Sequence, residues 1–285
     1  MRVQSLEAAF AAHAGCAGDA RFLAGGQSLL AALNLRLDAP DLLIDIAHIH
    51  SLREIERRGD TLRIGALARH NEVLSSPVVR DSAPLLTMAV PFIAHPAIRN
   101  RGTIGGSIAH ADPASEYPAC LLALDAAIEV AGPAETRLVA ASDFFLGLYE
   151  TALASGELVT AIHVPVAAPG SIFAFDELAR RRGDYALAGL AVAGKVAGGI
   201  VTAIRLVFCA VGATPLRARA SERAIEGRPL DATTIRDAME VVSVDIVPDD
   251  DIALSGRARQ HIARVLLGRV LRDLAKSPEA AECTP

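Results

Sequence analysis

The sequence predicts an α+β chain in two parts, and three observations carry that reading. Its 285 residues are enough for two domains. Up to Val166, short apolar runs bounded by Gly and Pro alternate with stretches of helical periodicity. After Ala168-Pro169-Gly170 the texture changes: two long apolar runs, Ala186–Val196 and Ile200–Val211, flank Ala197-Gly198-Gly199 as the arms of a hairpin would, and helical patterns follow.

Taken in order, Ser5–Phe10 reads as a short helix ending near Gly15 and Gly18, and Arg21-Phe22-Leu23 as a short strand. Leu29, Leu30, Leu33 and Leu37 recur at helical spacing until Pro40, and Leu42–Ile46 reads as a buried strand. This β-turn-α-β unit is expected to form a first subdomain to about residue 60. A second, 61–168, is expected to hold a strand at Leu62–Ala66 and helices around His70–Leu74 and Pro84–Ile93. A loop rich in Gly, Pro and His follows from Ala94 to Pro113, then a helix over Ser115–Leu124 and strands at Ala127–Ala131, Arg137–Ala140 and Leu158–Val166. Beyond the boundary, a second domain over 171–276 contains the two long strands and helices near Thr233–Val242 and Arg257–Leu274. Ile262, Val265, Leu266, Arg269, Val270 and Leu274 share one mostly apolar face of the last helix. Residues 277–285 are expected to fray.

Composition narrows the function. With 52% hydrophobic and 21% charged residues the chain is neither disordered nor fibrous. A net charge of −5 without a basic cluster argues against nucleic acid as a partner. No apolar stretch is long enough for a membrane span, and the N-terminus has no secretory pattern, so a soluble cytoplasmic protein is expected. Cys16, Cys120, Cys209 and Cys283 stand far apart. They read as buried thiols of a reducing compartment and cannot supply the grouped ligands of an iron–sulfur or structural zinc site. Among eight histidines there is no H-E-x-x-H, and Asp249-Asp250-Asp251 reads as a solvated turn.

The chemistry lies in two glycine loops. Ala24-Gly25-Gly26-Gln27-Ser28-Leu29 sits between the first strand and the next helix. Paired glycines permit positive φ and close ligand approach, and successive amides can converge on an anion beside the Ser28 hydroxyl. Taken alone, the same residues also make a plain tight turn. The loop is neither G-x-G-x-x-G nor a Walker A sequence, which disfavours a Rossmann dinucleotide site or an NTPase. The second loop, Arg99-Asn100-Arg101-Gly102-Thr103-Ile104-Gly105-Gly106-Ser107, offers another run of glycine amides. Glu116 follows at a distance suited to a ribose hydroxyl, and Ser115 can cap the next helix. Two such loops suggest a dinucleotide pyrophosphate gripped by backbone amides from both sides.

Ala24–Leu29, Arg99–Gly106, Ala111–Ala119 and Arg181-Arg182-Gly183-Asp184-Tyr185-Ala186 together resemble the FAD-binding medium subunit of molybdenum hydroxylases, the group of the carbon monoxide dehydrogenase medium subunit and the xanthine dehydrogenase flavin domain. The resemblance covers about residues 1–275. It implies a two-subdomain FAD-binding domain of the PCMH/vanillyl-alcohol-oxidase type, followed by a smaller domain of three-stranded antiparallel sheet and helices. It implies non-covalent FAD, with the first pyrophosphate loop at Phe22, Leu23, Ala24, Gly25, Gly26, Gln27, Ser28 and Leu29, and the second at Thr103, Ile104, Gly105, Gly106 and Ser107. Ile93 and Ala94 match flavin-lining positions, Val159 an apolar contact on the strand before the linker, Glu116 a ribose contact, and Tyr185 an aromatic residue near the isoalloxazine ring; the alternative for Tyr185 is a core tyrosine at a strand start. Asp176 stands where some relatives carry lysine. The resemblance further implies an electron-transfer role in an (LMS)2 heterotrimer, with molybdopterin in a large subunit and two [2Fe–2S] clusters in a small one. A self-sufficient flavin oxidase or reductase and a non-enzymatic flavin carrier are the alternatives.

Overall fold

The computed structural model describes residues 1–276, so Cys283 and the tail expected to fray lie outside the described residues. Helix α1 (Leu6–Ala14) starts where the Ser5 hydroxyl accepts the Ala8 amide N–H, and it stops at Gly15. Strands β1 (Ala20–Leu23) and β2 (Leu42–Asp45) pair in parallel, with α2 (Leu29–Asn34) crossing between them. The helix is shorter than the leucine spacing predicts and faces solvent. None of its residues is buried, and Leu35 and Leu37 beyond it are 70% and 77% exposed. The small core of this unit comes instead from Val3, Ala9, Ile44, Ile46 and Ile49.

Strands β3 (Ile55–Arg58) and β4 (Thr61–Gly65) form a hairpin that straddles residue 60, which places β3 with the second unit. Helices α3 (His70–Ser75), α4 (Pro77–Ser82) and α5 (Pro84–Ala89) follow closely, because Ser76 caps α4 and prolines open α4 and α5 where no amide donor is required. The segment from Ala94 to Pro113 is not the loop its composition predicts. It forms α6 (Pro96–Arg99) and α7 (Ile104–His110), and α8 (Glu116–Ala123) comes next. Strands β5 (Ala127–Ala131) and β6 (Thr136–Ala140), helix α9 (Ala141–Phe144), a small hairpin of β7 (Phe145–Gly147) and β8 (Glu150–Thr151), and β9 (Leu158–Pro165) complete the unit. Its five-stranded antiparallel sheet has the order β3-β4-β9-β5-β6. Leu62, Ile64, Ile128 and Ile162 pack in one core with Leu85, Leu86, Ile108 and Leu121 from the helices.

The C-terminal part is an antiparallel sheet of three long strands, β10 (Ser171–Ala179), β11 (Ala186–Ala197) and β12 (Ile200–Cys209), edged by the two-residue β13 (Leu216–Arg217). The turn between β11 and β12 puts Gly198 and Gly199 at φ 57° and 75°, as a tight hairpin with the native twist requires. Helices α10 (Arg219–Ile225), α11 (Ala232–Val241) and α12 (Gly256–Leu274) cover one face. Val265 is not part of the buried face of α12: it is 44% exposed, and Ala263, Leu266, Leu267, Val270, Leu271 and Leu274 are buried instead. The long strands read as unbroken apolar runs because both faces of the sheet are buried. Leu190, Val192, Leu206 and Phe208 pack with α12, whereas Ala191, Ala193, Val207 and Cys209 join the core of the preceding domain.

Candidate functional site

The two glycine loops meet. A Cβ on Gly25 would lie 2.3 Å from the Arg101 carbonyl oxygen, so only glycine lets the first loop seat against the second. Gly26 holds φ 71°, the left-handed conformation that glycine adopts most readily. The Gln27 side-chain amide donates to the Gly25 carbonyl at 3.0 Å and braces the loop. The successive amides of Gly25, Gly26, Gln27, Ser28 and Leu29 donate to no acceptor among the described residues, and the Ser28 hydroxyl forms no cap bond. Because α2 has only six residues, these open amides rather than a long helix dipole provide the positive potential.

The second loop differs from its expected role as a matching donor cradle. Thr103 caps α7, its hydroxyl accepting the Gly106 amide at 3.2 Å. The Ile104 amide donates to Ala68 and the Gly105 amide to Ala66, at 3.0 and 2.8 Å. Those N–H groups are consumed by the fold and cannot hold a phosphate. Ile104 is also fully buried in the core and does not line the cleft. Gly105 is a packing glycine, since a Cβ there would come within 2.4 Å of Ala66 Cβ. What this loop presents is the Thr103 and Ser107 hydroxyls, the latter 2.8 Å from Ser115 Oγ.

Between the loops opens a cleft of about 590 Å³. Phe22, Leu23, Ala24, Gly25, Gly26, Gln27, Ser28 and Leu29 line it from the first unit, and Ile93, Ala94, Thr103, Gly105, Gly106, Ser107, Glu116 and Val159 from the second. Gly183, Asp184 and Tyr185 close it from the C-terminal domain. The closure is a tight fit: Ala94 holds φ 42°, the Arg99 guanidinium donates to the Ile93 and Ala94 carbonyls at 2.9 and 3.0 Å, and a Cβ on Gly183 would lie 2.7 Å from the Ala94 oxygen. Tyr185 is 72% exposed at the rim, so it is not a core tyrosine.

The walls include residues that motif reading missed. His70 lies behind the second loop, 5.4 Å from the Tyr117 ring, and burial with the nearby Arg99 charge pushes its pKa down to about 4, leaving it neutral. The Asp112 carboxylate accepts from the Ala114 amide and, at 3.3 Å, from the Tyr149 hydroxyl. The His110 ring packs against that of Tyr149, centroids 5.0 Å apart and tilted by 44°. Burial, together with the Glu177 charge, raises the Glu116 carboxyl to about 8. Asp176, the departure from the lysine of some relatives, does not line the cleft; its carboxylate pairs with Arg269 of α12. Cys120 and Cys209 are buried, whereas Cys16 is only half-buried.

Open amides and a free hydroxyl on one side of a ligand-sized cleft suit an anionic diphosphate, and the residues present fit FAD on that ground. The FAD-binding domain of molybdopterin dehydrogenases matches residues 1–167, and the carbon monoxide dehydrogenase flavoprotein C-terminal domain matches residues 173–274. The chain is 38% identical to the carbon monoxide dehydrogenase medium chain of Hydrogenophaga pseudoflava, over 89% of this chain and 88% of that one. It is also 38% identical to the glyceraldehyde dehydrogenase medium chain of Sulfolobus acidocaldarius, over 90% of each. Among solved structures, quinoline 2-oxidoreductase from Pseudomonas putida 86 superposes with a TM-score of 0.93 at 34% identity, covering 100% of this chain and 97% of that one. Carbon monoxide dehydrogenase from Hydrogenophaga pseudoflava superposes with 0.92 at 38%, covering 96% and 95%. The chain therefore belongs to the FAD-binding medium subunits of the molybdopterin-dependent dehydrogenases, as an oxidoreductase subunit.

Proposed function

We propose that this chain is the electron-transfer subunit of a molybdenum hydroxylase, receiving electrons from the [2Fe–2S] clusters of a small partner subunit and delivering them to an external acceptor. In this reading a large partner subunit carries molybdopterin and oxidises the organic substrate, and the assembly is a dimer of heterotrimers in the cytoplasm. The observation that carries it is the row of five unengaged amides, Gly25 to Leu29, facing a cleft that the C-terminal domain closes with Tyr185. Bound FAD supplies chemistry that no side chain here can, taking up electrons one at a time and releasing them in pairs.

The chain's own residues bind and orient. The first-loop amides and the Ser28 hydroxyl would hold the diphosphate of FAD, with the Thr103 and Ser107 hydroxyls of the second loop available to it as further partners. Arg99 fixes the Ile93–Ala94 turn that lines the flavin end, and Val159 adds an apolar wall. Tyr185, exposed at the rim of the cleft, would shield the flavin of a bound FAD from water. The cysteines are ungrouped, which suits clusters held by another subunit.

The test is co-expression with the neighbouring subunits, followed by visible spectra of the purified complex and of this chain alone. The expected result is a flavin in the chain that is reduced by organic substrate only when both partners are present. Turnover of an organic substrate by the chain alone, or a chain that takes up no flavin, would refute the reading.

A further inference from the structure

The C-terminal domain reaches the cleft through a backbone latch. Ala94 holds φ 42°, in the left-handed region that an alanine occupies only at a cost. Its carbonyl oxygen is held from two sides. It accepts from the Arg99 guanidinium at 3.0 Å, and Gly183 of the C-terminal domain lies so close against it that a Cβ there would come within 2.7 Å. Arg99, at the end of α6, donates from the same Nη1 to the Ile93 carbonyl at 2.9 Å. Its Nε is buried without a partner, so among the described residues this guanidinium bonds only to two carbonyls of the cleft wall.

Beyond Gly183 the chain has little freedom before Tyr185. The Asp184 amide donates to the Arg181 carbonyl at 3.1 Å and the Tyr185 amide to the Asp184 carboxylate at 2.9 Å, and together they close the turn between β10 and β11. Where Gly183 lands therefore decides where Tyr185 stands. The union of the two domains does not depend on this contact, because Phe92 packs on Phe175 and the sheets share a core. Without Arg99, Ala94 would relax to negative φ and its carbonyl would turn away. Gly183 would then lose its seat while the rest of the molecule stayed folded.

Resting on the reading of the cleft as the FAD site, we propose that Arg99 is a positioning residue for the flavin cover: it holds Ala94 in the left-handed turn on which Gly183 lands, and so sets Tyr185 where it shields a bound flavin. Arg99 does not itself line the cleft; it acts through Ala94, Gly183 and Tyr185 in turn. Glycine adopts positive φ without the alanine penalty, so Ala94→Gly removes the need for Arg99. If Arg99 merely stabilised the fold, that exchange would only add to the loss, since glycine gives the unfolded chain more freedom.

The experiment takes two readouts on the full chain. In the flavin-free chain, hydrogen–deuterium exchange follows the peptide spanning 181–186. Arg99→Met should speed its exchange about tenfold, the weight of one hydrogen bond to a charged group, while the core strands β11 and β12 stay protected. Adding Ala94→Gly to Arg99→Met should restore most of the protection. Gly183→Ala, which leaves Arg99 in place, should loosen the same peptide from the other side. In the FAD-loaded chain, acrylamide quenching of flavin emission should rise in Arg99→Met to the level of Tyr185→Ala, and the two together should do no more than either alone. Unchanged exchange in Arg99→Met and Gly183→Ala, no rescue by Ala94→Gly, or quenching effects that add would overturn the positioning role. A chain whose exchange responds as expected but which takes up no FAD would overturn the cleft reading, and the flavin cover with it, while the latch between the domains stands.

Discussion

Gly105 and Gly106 are adjacent in the sequence, yet they answer to different constraints. Gly105 is pressed onto Ala66, and a Cβ there has nowhere to go. Gly106 turns toward the cleft, where a Cβ meets the Thr103 hydroxyl at 2.8 Å and otherwise only Ala24 Cβ at 4.0 Å. Gly105→Ala should therefore lower the stability of the flavin-free protein by about 1–3 kcal/mol through overpacking. Gly106→Ala should cost the flavin-free protein less, about 1 kcal/mol, by pushing the Thr103 hydroxyl off its cap, and should weaken FAD retention in addition; thermal melting with and without flavin separates the two. Tyr185 lies at the opposite extreme of burial. Tyr185→Ala should change the apo melting transition by no more than about 0.5 kcal/mol, because an exposed rim side chain packs little. It should shift the flavin midpoint potential in a spectroelectrochemical titration, and an unmoved potential would reduce Tyr185 to surface decoration.

Secondary-structure elements show where pattern reading loses its footing. The leucines of α2 repeat at helical spacing and do make a helix, but it ends at Asn34, its Leu30 stays exposed, and Leu35 and Leu37 of the repeat fall in solvent beyond it. Thr-Ile-Gly-Gly has the composition of a loop, yet it becomes the first turn of α7 because Thr103 caps it and the Ala66 and Ala68 carbonyls take its amides. In the central sheet, Glu129 of β5 ties three strands together: it accepts from Thr160 at 2.8 Å and Arg63 at 3.2 Å, and pairs with His163 Nε2 at 2.9 Å. Burial alone raises its pKa, but the bonds from His163, Thr160 and Arg63 outweigh burial and hold it below the usual carboxylate value. A carboxyl depressed in the folded state contributes stability above its unfolded pKa and loses it as pH falls through the folded one. Glu129→Gln should thus cost about 1–2 kcal/mol in chemical denaturation at neutral pH, with the difference from wild type shrinking in acid. A difference that persists in acid would place the loss in packing rather than in charge.

Across the whole molecule, the two domains share a core instead of meeting at a loose seam. Ala191, Ala193, Val207 and Cys209 of the C-terminal sheet join the cluster built on Leu62, Ile64 and Ile128. Phe175 of β10 lies 5.3 Å from Phe92, ring centre to ring centre. Two consequences are measurable by calorimetry. The flavin-free chain should unfold in one transition, since neither part buries its apolar faces without the other; two well-separated transitions would contradict a shared core. Residues of all three units line the cleft, so FAD bound there at a hundredfold excess over its dissociation constant should stabilise that single transition by about 2.7 kcal/mol. Stabilisation confined to part of the molecule would mean that Gly183–Tyr185 do not close on the ligand.

Residue order alone was enough to locate both glycine loops, the Gly198-Gly199 hairpin and the cofactor class, because turns and close approaches demand glycine locally and the loops recur in a recognisable arrangement. It could not say which amides stay open. Whether Gly25–Leu29 or Ile104–Gly106 can still donate depends on acceptors from distant segments, and the carbonyls of Ala66 and Ala68 reach only the second set. Hydrogen-bond satisfaction is a property of the packed chain, and so are the closing of the cleft by Tyr185 and the loss of Ile104 to the core.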